Sequence, residues 1–298
     1  MAEVTIRAGT KAVLIAGPTA SGKSRLAVEL AREHGGIVVN ADSMQVYAEL
    51  LVLSARPGPE DETRAPHRLY GRVPASERYS VGRWLLDVTA ELDAARQAGA
   101  LPIVVGGTGL YFRALTEGLA AVPAIPADIR EMIQNSAEGE ESELLHRRLA
   151  EIDPEDAAAI RPSDRSRIVR ALEVFEATGR SLAAWKARPT LPVLEVADVT
   201  RLVLDPERAA LHERIARRAD AMLRDGALDE AQRLGDLRLS PDLPAMKAIG
   251  VRELLDHLAG KTSFDEAIAG MKTETRRYAK RQMTWFRTQM PEWDRITV

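Results

Sequence analysis

Residues 17 to 24 read GPTASGKS and have the residue types and spacing of a loop that holds phosphate. The glycines allow backbone N–H groups to converge on phosphate oxygens, and the N-terminus of a following helix adds its positive dipole end. Lys23 is placed to reach terminal phosphates, and the Ser24 hydroxyl is placed to coordinate magnesium. The loop residues that we expect to bind a diphosphate or nucleotide are Gly17, Pro18, Thr19, Ala20, Ser21, Gly22, Lys23 and Ser24.

Asp42 follows a second apolar run and lies where an acid can act on a held ligand. The run GGIVVNAD (35–42) predicts a parallel strand, and ligands of open α/β folds bind at the carboxyl edge of the sheet. Asp42 could accept a proton there from a nucleophile held against the phosphate loop. Its spacing is equally typical of an aspartate that caps a helix or a turn. The residues alone leave both roles open.

The segment VGGTGLYFRAL (105–115) is another place where the backbone can approach a ligand closely. Its adjacent glycines carry no side chain, and Thr108 can direct a hydroxyl into the site. The alternative is that Thr108 caps the helix that follows, and the spacing alone favours this alternative.

Basic and aromatic residues are interleaved in TETRRYAKRQMTWFR (273–287). Cationic side chains neutralise a phosphodiester backbone, and aromatic rings offer faces to unstacked bases. A single helix of this kind is more typical of a solvated amphipathic surface. However, a second basic group, Arg165, Arg167 and Arg170, occurs elsewhere in the chain. Two basic groups that flank one phosphate pocket make a polynucleotide substrate credible.

Short apolar runs alternate with helical patterns and must position these residues. The runs are KAVLIAG (11–17), GGIVVNAD (35–42), ALPIVVGG (100–107) and TRLVLD (200–205). Strands that alternate with helices imply a parallel sheet covered on both faces, so we predict an α/β fold. From about residue 122 to 198 we find helical periodicity without convincing strands. We therefore predict a core of residues 1–121 and 199–298 and an all-helical insertion domain of residues 122–198.

Composition limits the possible functions. The chain has 298 residues, of which 45% are hydrophobic and 29% charged, the balance of an ordinary soluble globular protein. No apolar run is long enough to cross a bilayer, and the N-terminus lacks the pattern of a secretory signal, so we expect no membrane association. The absence of cysteine excludes disulfides and thiolate metal sites. Because the net charge is −3, any nucleic-acid binding must come from local patches.

Six segments occur together in an order and spacing that resemble those of one protein family. They are GPTASGKS, ADSMQVY, VGGTGLYFRAL, SRIVRALEV, MKAIGVRE and KRQMTWFR. On these segments the chain is similar to the bacterial tRNA dimethylallyltransferases from residue 11 to about residue 290. That family transfers the dimethylallyl group of dimethylallyl diphosphate to the N6 amine of the adenine immediately 3′ of the anticodon. The resemblance implies a P-loop kinase-like α/β core with a helical insertion, in which the held diphosphate is a leaving group.

The resemblance also implies roles for particular residues. Asp42 corresponds to the general base on the adenine amine, and Thr108 to a residue that positions the extruded base. Arg218 corresponds to a second diphosphate-binding residue, and Mg²⁺, held at Ser24, is the expected cofactor. With Arg130 added by its spacing alone, the residues that match tRNA-contacting segments are Asp42, Ser43, Met44, Gln45, Thr108, Arg130, Ser166, Arg167, Ile168, Val169, Arg170, Lys247, Ala248, Ile249, Gly250, Val251, Arg252, Lys280, Arg281, Gln282, Met283, Thr284, Trp285, Phe286 and Arg287.

Two other functions stay open at this point. An adenylate isopentenyltransferase uses the same donor on free AMP, ADP or ATP, although the insertion and the basic C-terminal segment argue against it. A small-molecule P-loop kinase would use Asp42 to deprotonate a hydroxyl. For the tRNA-modifying enzyme we expect tRNA and dimethylallyl diphosphate as partners, a cytoplasmic location and a monomer.

Overall fold

The computed structural model describes residues 4–298, which divide into two compact units. The first unit comprises the chain up to Thr116 together with Val193–Val298. The second comprises Glu117–Pro192, whereas the sequence predicted an insertion over residues 122–198.

The first unit contains a six-stranded sheet in which every neighbouring pair of strands is parallel. In chain order its strands are β1 (Ala12–Ala16), β2 (Gly36–Asn40), β3 (His67–Arg68), β4 (Leu101–Gly106), β5 (Val199–Asp205) and β6 (Asp294–Thr297). They lie side by side in the order β3-β2-β4-β1-β5-β6. The α/β fold is therefore confirmed, and each of the predicted apolar runs forms a strand. The two edge strands, β3 and β6, were not predicted.

Helices lie between the strands along the chain. The helices of the first unit are α1 (Lys23–His34), α2 (Pro59–Arg64), α3 (Val81–Gln97), α4 (Gly109–Glu117), α10 (Arg208–Arg224), α11 (Ala227–Asp236), α12 (Val251–Leu258) and α13 (Phe264–Gln289). Short 3₁₀ turns occupy Val196–Asp198 and Pro244–Lys247. Within residues 4–298, we find no helix with the length and apolar character needed to span a bilayer.

The sheet is buried on both faces, as expected for parallel strands that alternate with helices. Successive residues of a strand point to opposite faces. Leu14 of β1 accordingly packs in one hydrophobic cluster with Trp84 of α3. Val13 and Ile15 pack on the other face with Val28 of α1. These two clusters hold β1 in the centre of the sheet. They thereby fix the position of its carboxyl end, from which the phosphate loop continues.

The second unit is all-helical. Its helices are α5 (Ala127–Ala137), α6 (Ser142–Ile152), α7 (Pro154–Ala159), α8 (Arg165–Thr178) and α9 (Leu182–Lys186). Ile133, Leu145, Leu149 and Leu172 form the centre of its hydrophobic cluster. Gly179 ends α8 with a φ of 64°, a left-handed value that favours glycine.

A buried carboxylate on α11 fixes the chain that continues from Asp42. Glu230 is 3% exposed, and its Oε2 accepts the N–H groups of Leu51 and Val52 over 2.9 and 2.8 Å. Its Oε1 accepts the N–H of Leu53 over 2.9 Å. One side chain thereby accepts hydrogen bonds from three backbone N–H groups. A buried loop requires such acceptors for its N–H groups.

We expect Glu230→Ala to lower the free energy of unfolding by roughly 3 kcal/mol, because it leaves buried N–H groups without acceptors. Equilibrium urea denaturation followed by circular dichroism measures this change. Glu213→Ala, at an exposed glutamate of α10, is the matched control. Equal unfolding midpoints for the two variants would contradict a structural role for Glu230.

Candidate functional site

The phosphate loop joins β1 to α1 at the carboxyl edge of the sheet. Gly22 has a φ of 94°, which glycine adopts without strain, and Lys23 begins α1 directly after it. Helix α1 has no side-chain N-cap and no acidic residue in its first turn. Its first N–H groups therefore remain free to stabilise an anion.

Two cations lie beside this loop, close to Asp42. Arg218 of α10 donates from Nη1 to Thr19 Oγ1 over 3.2 Å, and Lys23 Nζ donates to the Pro18 carbonyl over 3.3 Å. Lys23 keeps some exposed surface, yet protein groups surround its ammonium, and this desolvation lowers its pKa to about 8 although Asp42 opposes the shift. Burial also lowers the pKa of Arg218, again against the influence of Asp42. Asp42 is thus close enough to act on both cations.

Ser24 is exposed in the first turn of α1, and its hydroxyl makes no hydrogen bond with a described residue. Mg²⁺ commonly takes one or two protein ligands and completes its octahedral shell with substrate phosphates and water. A free hydroxyl next to a phosphate loop fits an ion of this kind. Across residues 4–298, no three His, Cys, Asp or Glu side chains form a group that could hold an ion.

Asp42 lies just beyond β2 in a turn that the buried side chain of Asn40 fixes. Asn40 Oδ1 accepts the Asp42 N–H over 2.8 Å, and its Nδ2 donates to the carbonyls of Asp42 and Leu69. Asp42 Oδ1 accepts the N–H of Met44 over 2.9 Å. The aspartate therefore does cap a turn, but with one oxygen. Its Oδ2 accepts no hydrogen bond from the described residues and is available to a proton.

Thr108 fastens the loop after β4 to the Asp42 turn. Its hydroxyl accepts the Ser43 N–H over 3.0 Å and donates to Ser43 Oγ over 3.3 Å. These bonds go to Ser43 and not to N–H groups of α4, so the helix-cap role favoured by spacing is not what the structure shows. Gly106 permits the close approach, because a side chain there would lie 2.0 Å from the Ala41 carbonyl oxygen.

A cavity of about 290 Å³ adjoins these groups. Thr19, Asp42 and Arg218 form a polar part of its wall, and Tyr278 and Arg281 of α13 form another. Burial raises the pKa of Tyr278, and Asp42 raises it further, so its hydroxyl stays protonated. The apolar part of the wall includes Met44, Leu53, Ile215, Met222, Ile249 and Met271. One space thus combines the Arg218 cation beside the phosphate loop, the Asp42 carboxylate and a surface suited to hydrocarbon.

The predicted tRNA-binding residues of α13 point in different directions, because each helical residue turns by about 100°. Arg281 lines the cavity and stacks its guanidinium over Tyr278 at 5.7 Å. Lys280, Met283, Thr284 and Arg287 line a surface groove of about 460 Å³ beside α10.

Two further predicted residues of α13 face the protein interior, and a third is half-buried. Phe286 and Gln282 are 1% and 5% exposed, so neither presents its side chain to solvent. Trp285 packs against the first residue of α4, where a side chain at Gly109 would lie 1.9 Å from the indole Nε1.

Two further predicted segments of the first unit are only partly accessible. Residues 247–249 line the cavity, Gly250 has a φ of 97° and Val251 is fully buried, whereas Arg252 is exposed. Gln45 uses its Nε2 to donate to the carbonyls of Ser54 and Ala55, which shapes the loop that follows Asp42.

In the second unit the predicted residues lie on α5 and α8. Arg130 is half-buried on α5, Ser166 is exposed and Val169 is half-buried on α8, and Ile168 is fully buried in the hydrophobic cluster.

The second basic group is largely engaged within this unit. Arg165 donates to the carbonyls of Ala137 and Glu140 at the end of α5. Arg167 pairs with Asp164 at 3.4 Å, and Arg170 pairs with Glu173 at 3.3 Å. This group carries less free positive charge than the sequence suggested.

Three organising residues, Asn40, Tyr278 and Glu230, were not predicted as part of the site. Asn40 had a detectable signal, because it is a polar residue that ends an apolar run next to Asp42. Tyr278 stands in the basic and aromatic segment 273–287, but nothing in the sequence indicated that it lies beside Asp42. Glu230 had no such signal, since it lies within an amphipathic helix whose partners are distant in the chain.

Known proteins match this chain along almost its whole length. A family model described as IPP transferase matches residues 45–289, and one described as isopentenyl transferase matches residues 10–72. A tRNA dimethylallyltransferase of Azorhizobium caulinodans is 54% identical over 96% of this chain and 92% of that protein. The solved structure of a tRNA isopentenylpyrophosphate transferase from Bacillus halodurans is 35% identical, with a TM-score of 0.68 over 96% of this chain and 89% of the other. A eukaryotic dimethylallyltransferase acting on tRNA is 28% identical, with a TM-score of 0.82 over 97% of this chain and 74% of the other.

Proposed function

The chain belongs to the IPP transferase family, and from this premise we propose that it is a tRNA dimethylallyltransferase. It transfers the dimethylallyl group of dimethylallyl diphosphate to the N6 amine of the adenine immediately 3′ of the anticodon and releases diphosphate. The observation that carries the proposal is a cavity that combines Thr19 and Arg218 beside the phosphate loop, the Asp42 carboxylate and an apolar wall.

The phosphate loop stabilises the leaving group. Lys23, Arg218 and the N-terminus of α1 supply positive charge where the diphosphate gains negative charge as its C–O bond breaks. Ser24 would hold Mg²⁺ together with phosphate oxygens, and the ion would neutralise further charge on the diphosphate.

Asp42 acts on the acceptor of the dimethylallyl group, the adenine amine. The adenine amine is a poor nucleophile because its lone pair is delocalised into the ring, so alignment must supply much of the rate. As the N6–C bond forms, the amine loses a proton, and Asp42 Oδ2 is the free oxygen that takes it. The target base leaves its stack to reach the cavity, which costs a few kcal/mol.

A direct test is mass spectrometry of tRNA nucleosides after incubation with dimethylallyl diphosphate. We expect N6-dimethylallyladenosine in tRNA and none when guanine replaces the adenine 3′ of the anticodon. Product on free AMP, ADP or ATP but not on tRNA would instead identify an adenylate isopentenyltransferase. Nucleotide turnover without the allylic donor would identify a small-molecule kinase.

Action on tRNA supports a cytoplasmic location. We propose a monomer as the working form. Sedimentation velocity with and without tRNA tests this state.

The basic helix should contribute unequally along its length. Lys280 and Arg277 both line the surface groove, but Lys280 pairs with no acid of the described chain, whereas Arg277 pairs with Glu274 at 2.6 Å. We expect Lys280→Ala to weaken tRNA binding and to reduce the log–log salt slope by about 0.7 to 0.9. Arg277→Ala is the matched comparison and should change the slope less. A titration of tRNA binding against salt, in which Lys280→Ala keeps the wild-type slope, would show this face to be ordinary surface.

A further inference from the structure

Gln282 connects two loops of the site through the two ends of one carboxamide. Its Oε1 accepts the N–H of Thr19 in the phosphate loop over 2.9 Å. Its Nε2 donates to the carbonyl of Gly107, next to Thr108, over 2.9 Å. The side chain is 5% exposed, so water does not readily replace either bond.

The packing around Gln282 leaves it little freedom. A side chain at Gly107 would lie 2.2 Å from Gln282 Nε2, so the backbone of the β4 loop rests directly on the carboxamide. A side chain at Gly107 would also lie 3.3 Å from Asp42 Oδ2. Gln282 therefore sets the phosphate loop at a fixed distance from the loop that faces the free oxygen of Asp42.

This arrangement matters for a reaction between two held partners. The donor diphosphate depends on the phosphate loop, and the acceptor amine depends on Asp42 and Thr108. An error of about 1 Å in the relative placement of such groups costs about 10²-fold in rate. A rigid connection between the two loops is therefore a means of aligning the reacting atoms.

We propose that Gln282 is a positioning residue that aligns the donor-binding loop with the acceptor-binding loop, and that it does not contact tRNA. The proposal rests on the proposed function. Gln282 acts through Thr19 and Gly107, whose backbone groups it holds, and touches neither substrate.

The first test replaces Gln282 by methionine, which keeps the length of the side chain and removes both hydrogen bonds. We expect the single-turnover rate at saturating tRNA and dimethylallyl diphosphate to fall about 10- to 100-fold. The Kd for tRNA should stay within about twofold of wild type. Hydrogen exchange of the peptide that contains Thr19 should become faster. Gln289→Met, at an exposed glutamine of the same helix, is the control and should change none of these values.

The second test replaces Gln282 by glutamate and uses pH. A protonated glutamic acid can still accept the Thr19 N–H and donate to the Gly107 carbonyl, whereas the carboxylate repels that carbonyl. A buried carboxyl next to an acceptor has a raised pKa, so the functional form accumulates as the pH falls. We expect the rate of Gln282→Glu, divided by the wild-type rate at the same pH, to rise as the pH is lowered from 8 to about 6. The rate is expressed per folded molecule at each pH, because a buried carboxyl also makes the free energy of unfolding depend on pH.

The outcomes are distinct. Wild-type turnover by Gln282→Met, or a ratio for Gln282→Glu that does not change with pH, overturns the proposal. A weakened Kd for tRNA with an unchanged rate at saturation also overturns it and makes Gln282 a tRNA contact. If Gln282→Met does not fold, the pH ratio of Gln282→Glu decides. Absence of prenyl transfer by the wild-type protein would instead refute the proposed function.

Discussion

Replacing Asp42 by asparagine should lower the single-turnover rate of prenyl transfer by about 10²- to 10⁴-fold. Asparagine keeps an oxygen that accepts the Met44 N–H, so the turn beyond β2 should survive. The second oxygen becomes an amide nitrogen, which cannot accept the proton released by the adenine amine. The rate should fall without a matching loss of tRNA affinity, because the shape of the site is preserved.

Rapid-quench measurement of prenylated tRNA with enzyme in excess isolates this chemical step. Asp265→Asn, at an exposed aspartate in the first turn of α13, is the control for loss of one carboxylate. Turnover of Asp42→Asn equal to that of this control would remove Asp42 as the base.

Replacing Lys23 by methionine is expected to lower the rate with limiting dimethylallyl diphosphate by about 10²- to 10³-fold. The substitution keeps the side-chain length and removes the cation beside the phosphate loop. Binding of tRNA should be nearly unchanged, since Lys23 lies at the donor end of the site. Lys261→Met, at an exposed lysine after α12, is the matched control. A variant whose main defect is tRNA affinity would show that the donor binds elsewhere.

The pH dependence of donor binding provides a second readout on Lys23. Its pKa is lowered to about 8, so the ammonium is charged at pH 7 and loses its proton as the pH rises through 8. Binding of inorganic diphosphate should therefore weaken above pH 8 in the wild type, measured relative to Lys23→Met at each pH. Lys23→Arg stays charged and should lose this dependence. Equal pH profiles for wild type and Lys23→Met would contradict a charged lysine at the diphosphate.

The strands at the centre of the sheet were predictable because burial on both faces requires continuous apolar runs. β1 and β4 have that pattern, and each ends in a glycine-containing loop. The edge strands differ in kind: β3 has two residues, and β6 reads DRIT, with a charged residue in each of its first two positions. A strand that is paired on one side needs no apolar signature, so neither could be found from periodicity.

The residues proposed to carry the chemistry could be predicted from their types and spacing. The contacts that hold them in place could not. Asp42, Thr108 and Lys23 stand in short motifs whose spacing is local. Gln282 reaches Thr19 across 263 residues, and Glu230 reaches Leu53 across 177. Their sequence context is that of a polar residue on an amphipathic helix, which normally faces solvent. Only the folded arrangement shows that these two side chains are buried and hydrogen-bonded to backbone groups.

The direction in which each side chain of α13 points could not be predicted from the sequence either. Lys280 and Arg281 are adjacent in the sequence and similar in charge, yet one lines the surface groove and the other the cavity. The helical turn predicts that neighbours diverge, but which of them faces the site depends on how α13 packs against the core through Met271, Ala279 and Phe286.

The order of strands in the sheet has a consequence for how the protein is made. β1 (Ala12–Ala16) leaves the ribosome early, but its neighbours β4 (Leu101–Gly106) and β5 (Val199–Asp205) follow much later, with the whole second unit synthesised between them. During that interval the growing chain carries an apolar strand with an unpaired edge, which is a surface prone to aggregation. Gln282 emerges later still. The nascent protein must therefore keep its central strand shielded until β5 has been made, and the site is complete only when α13 contacts the phosphate loop.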